Sequence, residues 1–579
     1  MVPMLPTRII SRSRRTIAVL EPNGIVKRFH IRVRSDVSDA EMLAAETGTV
    51  DNGDLVVTLD GTTHRTPIRT LRGDRRGPEG ATVNNLRRWE KQDFIPRPDD
   101  IYQERLYAIQ WITKETLGAS RQDTYFAEVS PDDEARERKL EDIVRASLAD
   151  WQARGLVPDM PIEPGLNTRQ PIFERGWTYW HHLFTPRDLL VLATMKSQIS
   201  NAGLYALWPR AINHASKMCQ WLTSMPRVDK QTGQQLAGAR DIPNHVFYNQ
   251  ALNTFVNYAG RSVGALLDDI DPTGIGAENG VMGVSVVSAV SAATSGLTSD
   301  VWITDPPYAD AVRYEEITEF FIAWLRKNPP EPFKDWVWDS RRALAIKGSG
   351  EDFKAEMIAA YRNLANHMPD SGLQIVMFTH QDAEVWADMA AIMWGAGLQV
   401  TAAWYVATET TSELKKGGYV QGTVILVLRK RQDGEAGYRD EITQEIGFEV
   451  ARQIESLTGL NDRAVAHGRS ENLFEDADLQ MAGYAAALRV LTRYARIDGE
   501  DMAAYASRPR VRGRPDTVKE IIDFATETAN SHLVPSGLTR EVWGQLTAEE
   551  RFYLKMLDLD AAGLKKLDNY QNFAKALSR

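Results

Sequence analysis

The sequence contains a single cysteine, Cys219, among 579 residues. One cysteine excludes a disulfide within the chain and a zinc site built from several thiolates, and it is typical of a reducing compartment. Long apolar runs are also missing: none approaches the roughly 20 residues that a membrane-spanning helix needs. Prolines and arginines interrupt Met1–Arg15, where a signal peptide would have an apolar core. These absences predict a cytoplasmic protein with no membrane partner.

An excess of positive charge is missing as well, because the formal net charge is −10. Nucleic-acid binding requires positive charge wherever the protein meets phosphates, so it would depend on local basic patches. One patch lies between Arg8 and Arg34. A second segment, residues 84–97, interleaves arginines with aromatic residues and gives four candidate DNA contacts: Arg87, Arg88, Trp89 and Lys91. Both patches are equally compatible with an ordinary solvent-exposed surface.

Four regions follow one another along the chain. Residues 1–125 alternate apolar and polar side chains between turn signals, which predicts a β-rich region for which we expect a role in target recognition. Residues 126–294 predict a helical connector that supports the core. Residues 295–435 predict an α/β region, and residues 436–579 predict helices to the end.

Local signals sharpen the first two regions. The turn residues Glu21–Gly24 separate two alternating stretches and predict a β-hairpin. Thr185 as N-cap, Pro186 at the first helical position and Asp188 completing a capping box predict a helix start. A further helical stretch is expected from Tyr205 to Leu222.

The α/β region alternates strands and helices. A helix over Ile317–Leu325 and another over Asp382–Gly395 separate apolar runs that predict four strands: Val301–Ile303, Leu373–Phe378, Leu398–Val406 and Gly422–Leu428. Strand, helix, strand, helix and a final strand pair predict the second half of a doubly wound sheet whose last strand is antiparallel. The predicted fold class is therefore α/β, with part of a Rossmann-like sheet.

The tetrad Asp305-Pro306-Pro307-Tyr308 directly follows the first of these strands. An exocyclic amino group has two hydrogens, and the Asp305 carboxylate and the Pro306 carbonyl are two acceptors for them. Accepting both hydrogens directs the nitrogen lone pair at an incoming methyl group, while Tyr308 offers a flat face to a base swung out of the duplex. Aspartate at the first position favours N6 of adenine in DNA. Methylation of RNA or a protein amide, and a rigid turn without chemistry, remain alternatives.

Three further segments, together with the tetrad, resemble a known family, the large bacterial adenine-specific DNA methylases found beside anti-phage defence genes. They are Arg97–Leu106 (RPDDIYQERL), Gly176–Thr185 (GWTYWHHLFT) and Asn249–Asn257 (NQALNTFVN). The resemblance implies a class I methyltransferase fold, S-adenosylmethionine as cofactor and adenine in double-stranded DNA as substrate. It also implies a restriction-modification or anti-phage setting, with other defence proteins as partners.

The same resemblance assigns residues to the site. Asp305–Tyr308 match the family's catalytic motif, whereas Tyr314 and the segment with Phe378 and His380 match segments that border the target-base pocket. The glycine-rich loop that holds the methionine part of the cofactor in the family is not found, and Gly274–Gly283 is no substitute because no strand precedes it. Only strands four to seven of seven are therefore expected, with the cofactor-binding half on a separate polypeptide or lost by truncation.

Two functions from different classes remain. The first is an adenine-N6 DNA methyltransferase; the second is a DNA-binding or scaffolding subunit of a defence complex that is inactive without a partner carrying the cofactor-binding half. A metal site is not expected, since the adjacent His181 and His182 point in different directions and have no Cys or acidic residue at ligand spacing. Packing or substrate contact is the expected role of these histidines.

Overall fold

The computed structural model forms two compact units, Met1–Ala289 with Arg313–Arg342 and Val290–Val312 with Ala343–Arg579. The predicted regions 1–125 and 126–294 fall almost entirely in the first unit, and most of the remainder falls in the second. The structure describes these residues, apart from 79, 120, 121 and 433: 1–224, 227–228, 235–237, 240–247, 286, 288, 290–306, 313–340, 342, 346, 350–380, 382–407, 422–466, 476–509, 516–531, 535 and 538–561.

The first unit starts with small antiparallel sheets. The predicted hairpin is present as β2 and β3, whose strands pair from Ile17 with Arg34 to Asn23 with Arg28. Two three-stranded sheets contain β1 (Ile9–Ser11), β2 (Thr16–Asn23) and β3 (Arg28–Arg34), and then β4 (Val50–Asp51), β5 (Asp54–Leu59) and β6 (Thr62–Pro67). Two-stranded pairs are β7 (Arg75–Arg76) with β8 (Thr82–Val83), β9 (Ala108–Ile112) with β10 (Thr124–Glu128), β11 (Trp221–Ser224) with β14 (Arg240–Pro243), and β12 (Arg227–Val228) with β13 (Gln235–Ala237).

Helices supply most of the core of the first unit, which is rich in buried aromatic residues. The predicted capping box is confirmed: the Thr185 side chain accepts a hydrogen bond from the Asp188 backbone N–H, and Pro186 is the first helical residue. The helices are α1 (Asp39–Glu46), α2 (Ile68–Arg72), α3 (Pro131–Ala153), α4 (Arg169–Arg175), α5 (Pro186–Gln198), α6 (Ala202–Leu207), α7 (Pro209–Ala215) and α8 (Tyr314–Leu325).

The helix predicted from Tyr205 to Leu222 is wrong in extent. Two short helices, α6 and α7, occupy its first part, and β11 begins at Trp221. Pro209 separates the helices because proline has no N–H to donate within a helix and is favoured at a first helical position. Ser216 then ends α7 in an extended conformation, which starts the turn toward β11.

The second unit is built on a four-stranded sheet. Its strands are β15 (Val301–Thr304), β16 (Leu373–Phe378), β17 (Leu398–Ala407) and β18 (Gly422–Lys430), in the order β15-β16-β18-β17. β15 and β16 are parallel, whereas β18 runs antiparallel to both of its neighbours. All four predicted strands are therefore confirmed, as is the antiparallel direction of the last one.

The helix expected to cover this sheet between its first two strands required correction. The predicted helix exists as α8, but it belongs to the first unit, where Phe320 and Trp324 are fully buried. In the second unit a helix that the sequence reading missed, α9 (Glu351–Asn366), lies between β15 and β16 along the chain. It packs Phe353, Met357 and Tyr361 into the core at helical spacing.

The C-terminal region is mainly but not entirely helical. A small sheet of β19 (Glu435–Gly437), β20 (Tyr494–Ile497) and β21 (Glu500–Asp501) interrupts it, and such short strands leave little periodicity in a sequence. The helices of this region are α11 (Arg439–Ala466), α12 (Asp476–Leu491), α13 (Met502–Ala506), α14 (Thr517–Ser531), α15 (Arg540–Gln545) and α16 (Ala548–Ala561), whereas the predicted helix α10 (Ala383–Ala396) lies earlier, between β16 and β17. No helix within the described residues is both long and apolar enough to span a membrane.

The buried face of the four-stranded sheet predicts one stability effect. Leu426 in β18 is fully buried, so Leu426→Ala should lower the free energy of unfolding of the second unit by about 2–5 kcal/mol, as core leucine truncations do. Leu557→Ala is the matched control, since Leu557 is 46% exposed and should change stability by less than about 0.5 kcal/mol. Urea denaturation measures both; similar shifts for the two variants would contradict the described core.

Candidate functional site

The candidate site lies at one edge of the four-stranded sheet. β15 and β16 are parallel, with Val301 opposite Leu373 and Thr304 opposite Val376, so their carboxyl ends lie side by side. Asp305 directly follows β15, and the segment leading to His380 directly follows β16. The structure thus brings Asp305 and His380 to the same edge, where open α/β sheets bind ligands.

The chain just before Asp305 is held by a partly buried hydrogen bond. The Thr304 hydroxyl lies 3.0 Å from the Tyr361 hydroxyl, which α9 provides from the core. Burial raises the pKa of Tyr361, and the negative charge of Asp305 raises it further. Tyr361 therefore keeps its proton near neutral pH. Asp305 itself is exposed and Pro306 half-buried, whereas Pro307 and Tyr308 lie outside the described residues.

The Phe378 side chain packs in the core of the second unit. It was expected at the border of a base pocket, but side chains alternate along β16 and place Phe378 on the buried face, where it is 2% exposed. Its ring packs edge-to-face on Trp386 at 5.1 Å between centroids, and Trp386 stacks on Tyr484 at 5.6 Å. The Phe378 side chain therefore joins β16 to α10, and its assignment to the border of the base pocket stays a prediction.

His380 lies in the turn between β16 and α10. Its Nδ1 accepts a hydrogen bond from the Asp382 backbone N–H at 3.0 Å, and its carbonyl oxygen accepts one from the Trp386 indole at 2.7 Å. Thr379 donates its hydroxyl to the Gly422 carbonyl at 3.2 Å, which ties the same turn to β18. One of these hydrogen bonds thus orients the His380 ring, and the other two hold the backbone of its turn against α10 and β18.

Tyr314 is not brought to this edge by any described contact. It is the first residue of α8, is 62% exposed and belongs to the first unit, whereas Asp305 and His380 belong to the second. Its assignment to the base pocket stays a prediction. The segments Asn249–Asn257 and Gly274–Gly283 lie outside the described residues.

Two of the four candidate DNA contacts are structural in the first unit. The Arg87 guanidinium donates to both Asp100 oxygens at 2.7 Å and to Asp93 at 2.5 Å, and hydrogen bonding to Asp100 is the main cause that raises its pKa. Trp89 is 5% exposed and packs edge-to-face on Trp177 at 6.1 Å. Burial thus removes Trp89 as a surface for stacking a base. The pattern of arginine beside tryptophan in the sequence reflects an ion-pair network over a core.

The other two candidates lie on the surface. Arg88 and Lys91 are both exposed, and the Lys91 ammonium lies 3.5 Å from the Asp159 carboxylate. Asp159 is largely buried and is also paired with Arg326 and Lys327, so this longer contact adds little and leaves the exposed Lys91 accessible. A DNA contact through Arg88 and Lys91 therefore stays a prediction.

The segment around Gly176–His182 is joined to the segment around Trp89 by backbone and ring contacts. His181 and His182 are fully buried, and their Nε2 atoms lie 3.1 and 3.0 Å from the carbonyl oxygens of Asp93 and Glu90. Burial lowers the pKa of His181 to about 4, so the ring is neutral near pH 7. These contacts give the histidine pair a packing role. No group of three or more His, Cys, Asp or Glu side chains in the described part of the chain is arranged to hold a metal ion.

The backbone conformation at the start of this segment explains why residue 176 is a glycine. Its φ is +79°, and a Cβ at this position would lie 2.1 Å from the Arg87 carbonyl oxygen. The Trp89 backbone N–H donates to the Gly176 carbonyl at 2.8 Å. Glycine is thus required by both the left-handed backbone and the close approach of the neighbouring chain.

S-adenosylmethionine has no identified site among the described residues. None of the four strands of the second unit's main sheet is followed, where the chain is described, by a glycine-rich loop that would approach the cofactor. Comparison with protein-family models, curated proteins and solved structures gave no match. The geometry at the sheet edge is therefore the basis for a functional proposal.

The Arg87 network predicts that this residue acts on stability and not on DNA affinity. Arg87→Ala leaves the carboxylates of Asp93 and Asp100, each 8% exposed, without this guanidinium, which should destabilise the first unit by about 1–3 kcal/mol. Arg88→Ala, the adjacent exposed control, should change stability by less than about 0.5 kcal/mol. Denaturation and DNA titration at fixed salt measure both effects. Unchanged stability with weakened DNA binding in Arg87→Ala would show that the guanidinium contacts DNA.

Proposed function

We propose that the chain is the catalytic half of an S-adenosylmethionine-dependent methyltransferase that acts on N6 of adenine in DNA. The position of Asp305-Pro306 at the carboxyl end of a parallel strand supports this proposal most directly. The antiparallel β18 between β16 and β17 also supports it, because the second half of the expected sheet ends in such a strand.

Asp305 and Pro306 together provide two hydrogen-bond acceptors, which is the number that an exocyclic amino group requires. The Asp305 carboxylate accepts one hydrogen of the exocyclic NH2 and the Pro306 carbonyl accepts the other. Pro306 has no N–H to compete, and Pro307 restricts the direction of the carbonyl before it. With both hydrogens held, the nitrogen lone pair leaves conjugation with the base and points away from its plane. The methyl group would come from the sulfonium of S-adenosylmethionine: as the nitrogen bonds to the methyl carbon, the carbon–sulfur bond would break and leave a neutral thioether. The nitrogen would then release one proton to the Asp305 carboxylate or to solvent.

The contacts next to Asp305 favour a fixed position for the two proposed acceptors, its carboxylate and the Pro306 carbonyl. The Thr304 and Tyr361 hydroxyls hold the last residue of β15 against α9, immediately before Asp305. Acceptors whose positions are set before the substrate arrives need no reorganisation during the reaction, which is the main source of electrostatic catalysis. Tyr308 provides a stacking face for the base.

DNA as the substrate requires base flipping and a local basic surface. An adenine amino group inside a duplex cannot reach a carboxylate at a sheet edge, so the base must swing out. Arg88 and Lys91 are exposed cations available for phosphates in a chain whose net charge is −10. The family resemblance places such an activity in bacterial anti-phage defence or restriction-modification, in the cytoplasm, with other defence proteins as partners.

A second function is favoured by one observation. No described strand of the sheet has a glycine-rich cofactor loop, so the chain alone is also compatible with a DNA-binding or scaffolding subunit of a defence complex. Such a subunit would depend on a partner that carries the cofactor-binding half.

Genome-wide mapping of N6-methyladenine in the organism that encodes the chain tests the proposal with all partners present. We expect Asp305→Ala to abolish methylation at one sequence motif, because one of the two acceptors is lost. Asp440→Ala is the matched control, since Asp440 is an exposed aspartate at the start of α11 and should leave methylation unchanged.

Two results would count against the enzyme. Methylation that persists in Asp305→Ala would remove Asp305 from the chemistry. A wild-type strain whose methylation equals that of a strain lacking the gene would favour the subunit function instead.

A further inference from the structure

The four-stranded sheet of the second unit has two unlike faces. One face is buried in the core and includes Gln374, Val376 and Leu426, all 0% exposed. Cross-strand pairing places Ile303 beside Ile375 and Ile425 beside Trp404 on the opposite face. We call this second side of β15, β16, β18 and β17 the open face.

The open face is apolar and accessible. Its exposed side chains are Val301 (43%), Ile303 (67%), Trp404 (57%) and Val406 (41%), and Ile375 and Ile425 are half-buried. The residues that pair across this face are uncharged apart from Arg429, which is exposed and pairs with Gln399 near the start of β17. Parallel strands are normally covered on both faces, and a contiguous exposed apolar patch marks an interaction site.

The outer edge of β15 adjoins the open face. β15 is the first strand in the sheet order, and no strand among the described residues pairs with its outer edge. Native edge strands are usually protected by proline, lysine, a bulge or a covering element. β15 has the sequence Val-Trp-Ile-Thr and contains neither proline nor a charged residue. This edge is suited to receive another strand through main-chain hydrogen bonds.

A second copy of the chain is a poor occupant of this edge. If two β15 strands paired antiparallel over all four residues, Asp300 of each copy would lie opposite Asp305 of the other. Like charges directly opposite one another destabilise a strand pair, and this register contains two such pairs. The flanking aspartates favour a different strand with a basic residue near Asp300.

We propose that the outer edge of β15 and the open face bind a second, different polypeptide. This partner adds an apolar strand beside β15, covers Ile303 and Trp404 with apolar side chains, and presents Lys or Arg to Asp300. Because Asp305 directly follows β15, the same partner is placed to complete the site around it. That last statement rests on the proposed function, whereas the docking itself does not.

Site-specific photocrosslinking tests the docking in the encoding organism. The full chain carries p-benzoylphenylalanine at position 303 or, as a control, at position 557, which is exposed on α16. We expect position 303, but not 557, to crosslink one different polypeptide. Mass spectrometry of the crosslink should locate an apolar segment flanked by Lys or Arg. A crosslink to a second copy, to a segment without that chemistry or to no protein would overturn the inference.

Substitution gives an independent readout with the identified partner. Ile303→Lys places a charge on an exposed edge position that tolerates it in the free chain, and should weaken binding of the purified partner at least tenfold. Leu557→Lys should bind as the wild type does. Partner binding unchanged by Ile303→Lys would overturn the proposed surface.

The two proposals fail separately. Asp305→Ala should keep the partner and lose methylation, whereas Ile303→Lys should lose the partner. Methylation that survives Asp305→Ala removes the proposed chemistry and leaves the docking intact. A complex that survives Ile303→Lys removes the docking and leaves the chemistry intact.

Discussion

The parallel pairing of β15 with β16 is the constraint on which the candidate site depends. Because Thr304 lies opposite Val376, the two strands end side by side, and the residues that follow them share one sheet edge. A register shift of one residue would exchange the buried and open sides of β15. Trp302 and Thr304 would then leave the core side, and Asp305 would turn with them.

The register is held from the buried side of the sheet. Phe378, Trp386 and Tyr484 form a continuous aromatic contact from β16 through α10 to α12. The Trp386 indole also donates to the His380 carbonyl, so the same residue that packs the core fixes the turn at the site. Packing and chemistry are therefore coupled here, and a large change at Trp386 would move the sheet edge as well as weaken the core.

Local signals in the sequence predicted the four strands of the main sheet and several helices. They were less successful at predicting which of these elements pack together. The capping box at Thr185 and the four strands of the main sheet depend on short-range spacing, and both are present. α8 was also predicted, but the spacing of its apolar residues reveals only that the helix has an apolar face. It does not reveal in which core that face is buried. Phe320 and Trp324 consequently pack in the first unit, and α9 contributes to the core of the second.

Local spacing also predicted only part of the candidate site, because it does not show how side chains pack. Asp305 and His380 follow strands, so chain order and parallel pairing were enough to place them together. Trp89 and Arg87 looked like a surface for nucleic acid because composition does not distinguish an exposed arginine from one held by Asp93 and Asp100. The sequence does not reveal which side of β16 faces the helices, so it did not predict that Phe378 packs against Trp386.

The segments outside the tetrad that carry the family resemblance serve the architecture of the first unit where they are described. His181 and His182 bind backbone carbonyls, and Gly176 allows the chain at Arg87 to approach. Such residues are constrained by close packing, whereas the proposed chemistry needs only a short strand end with two acceptors. The described segments behind the predicted resemblance therefore lie in the first unit, whereas Asp305 lies in the second.

A thermodynamic cycle between Asp305 and the target amino group tests the central claim most directly. The protein, with any partner that co-purifies, is titrated with duplexes whose target base is adenine or purine, which lacks the amino group. The wild type should prefer adenine by about 1.5–3 kcal/mol, the range for a hydrogen bond to a charged group, and Asp305→Ala should lose most of that preference. Equal discrimination by the two proteins, or none by the wild type, would contradict the claim that Asp305 accepts a hydrogen bond from the base.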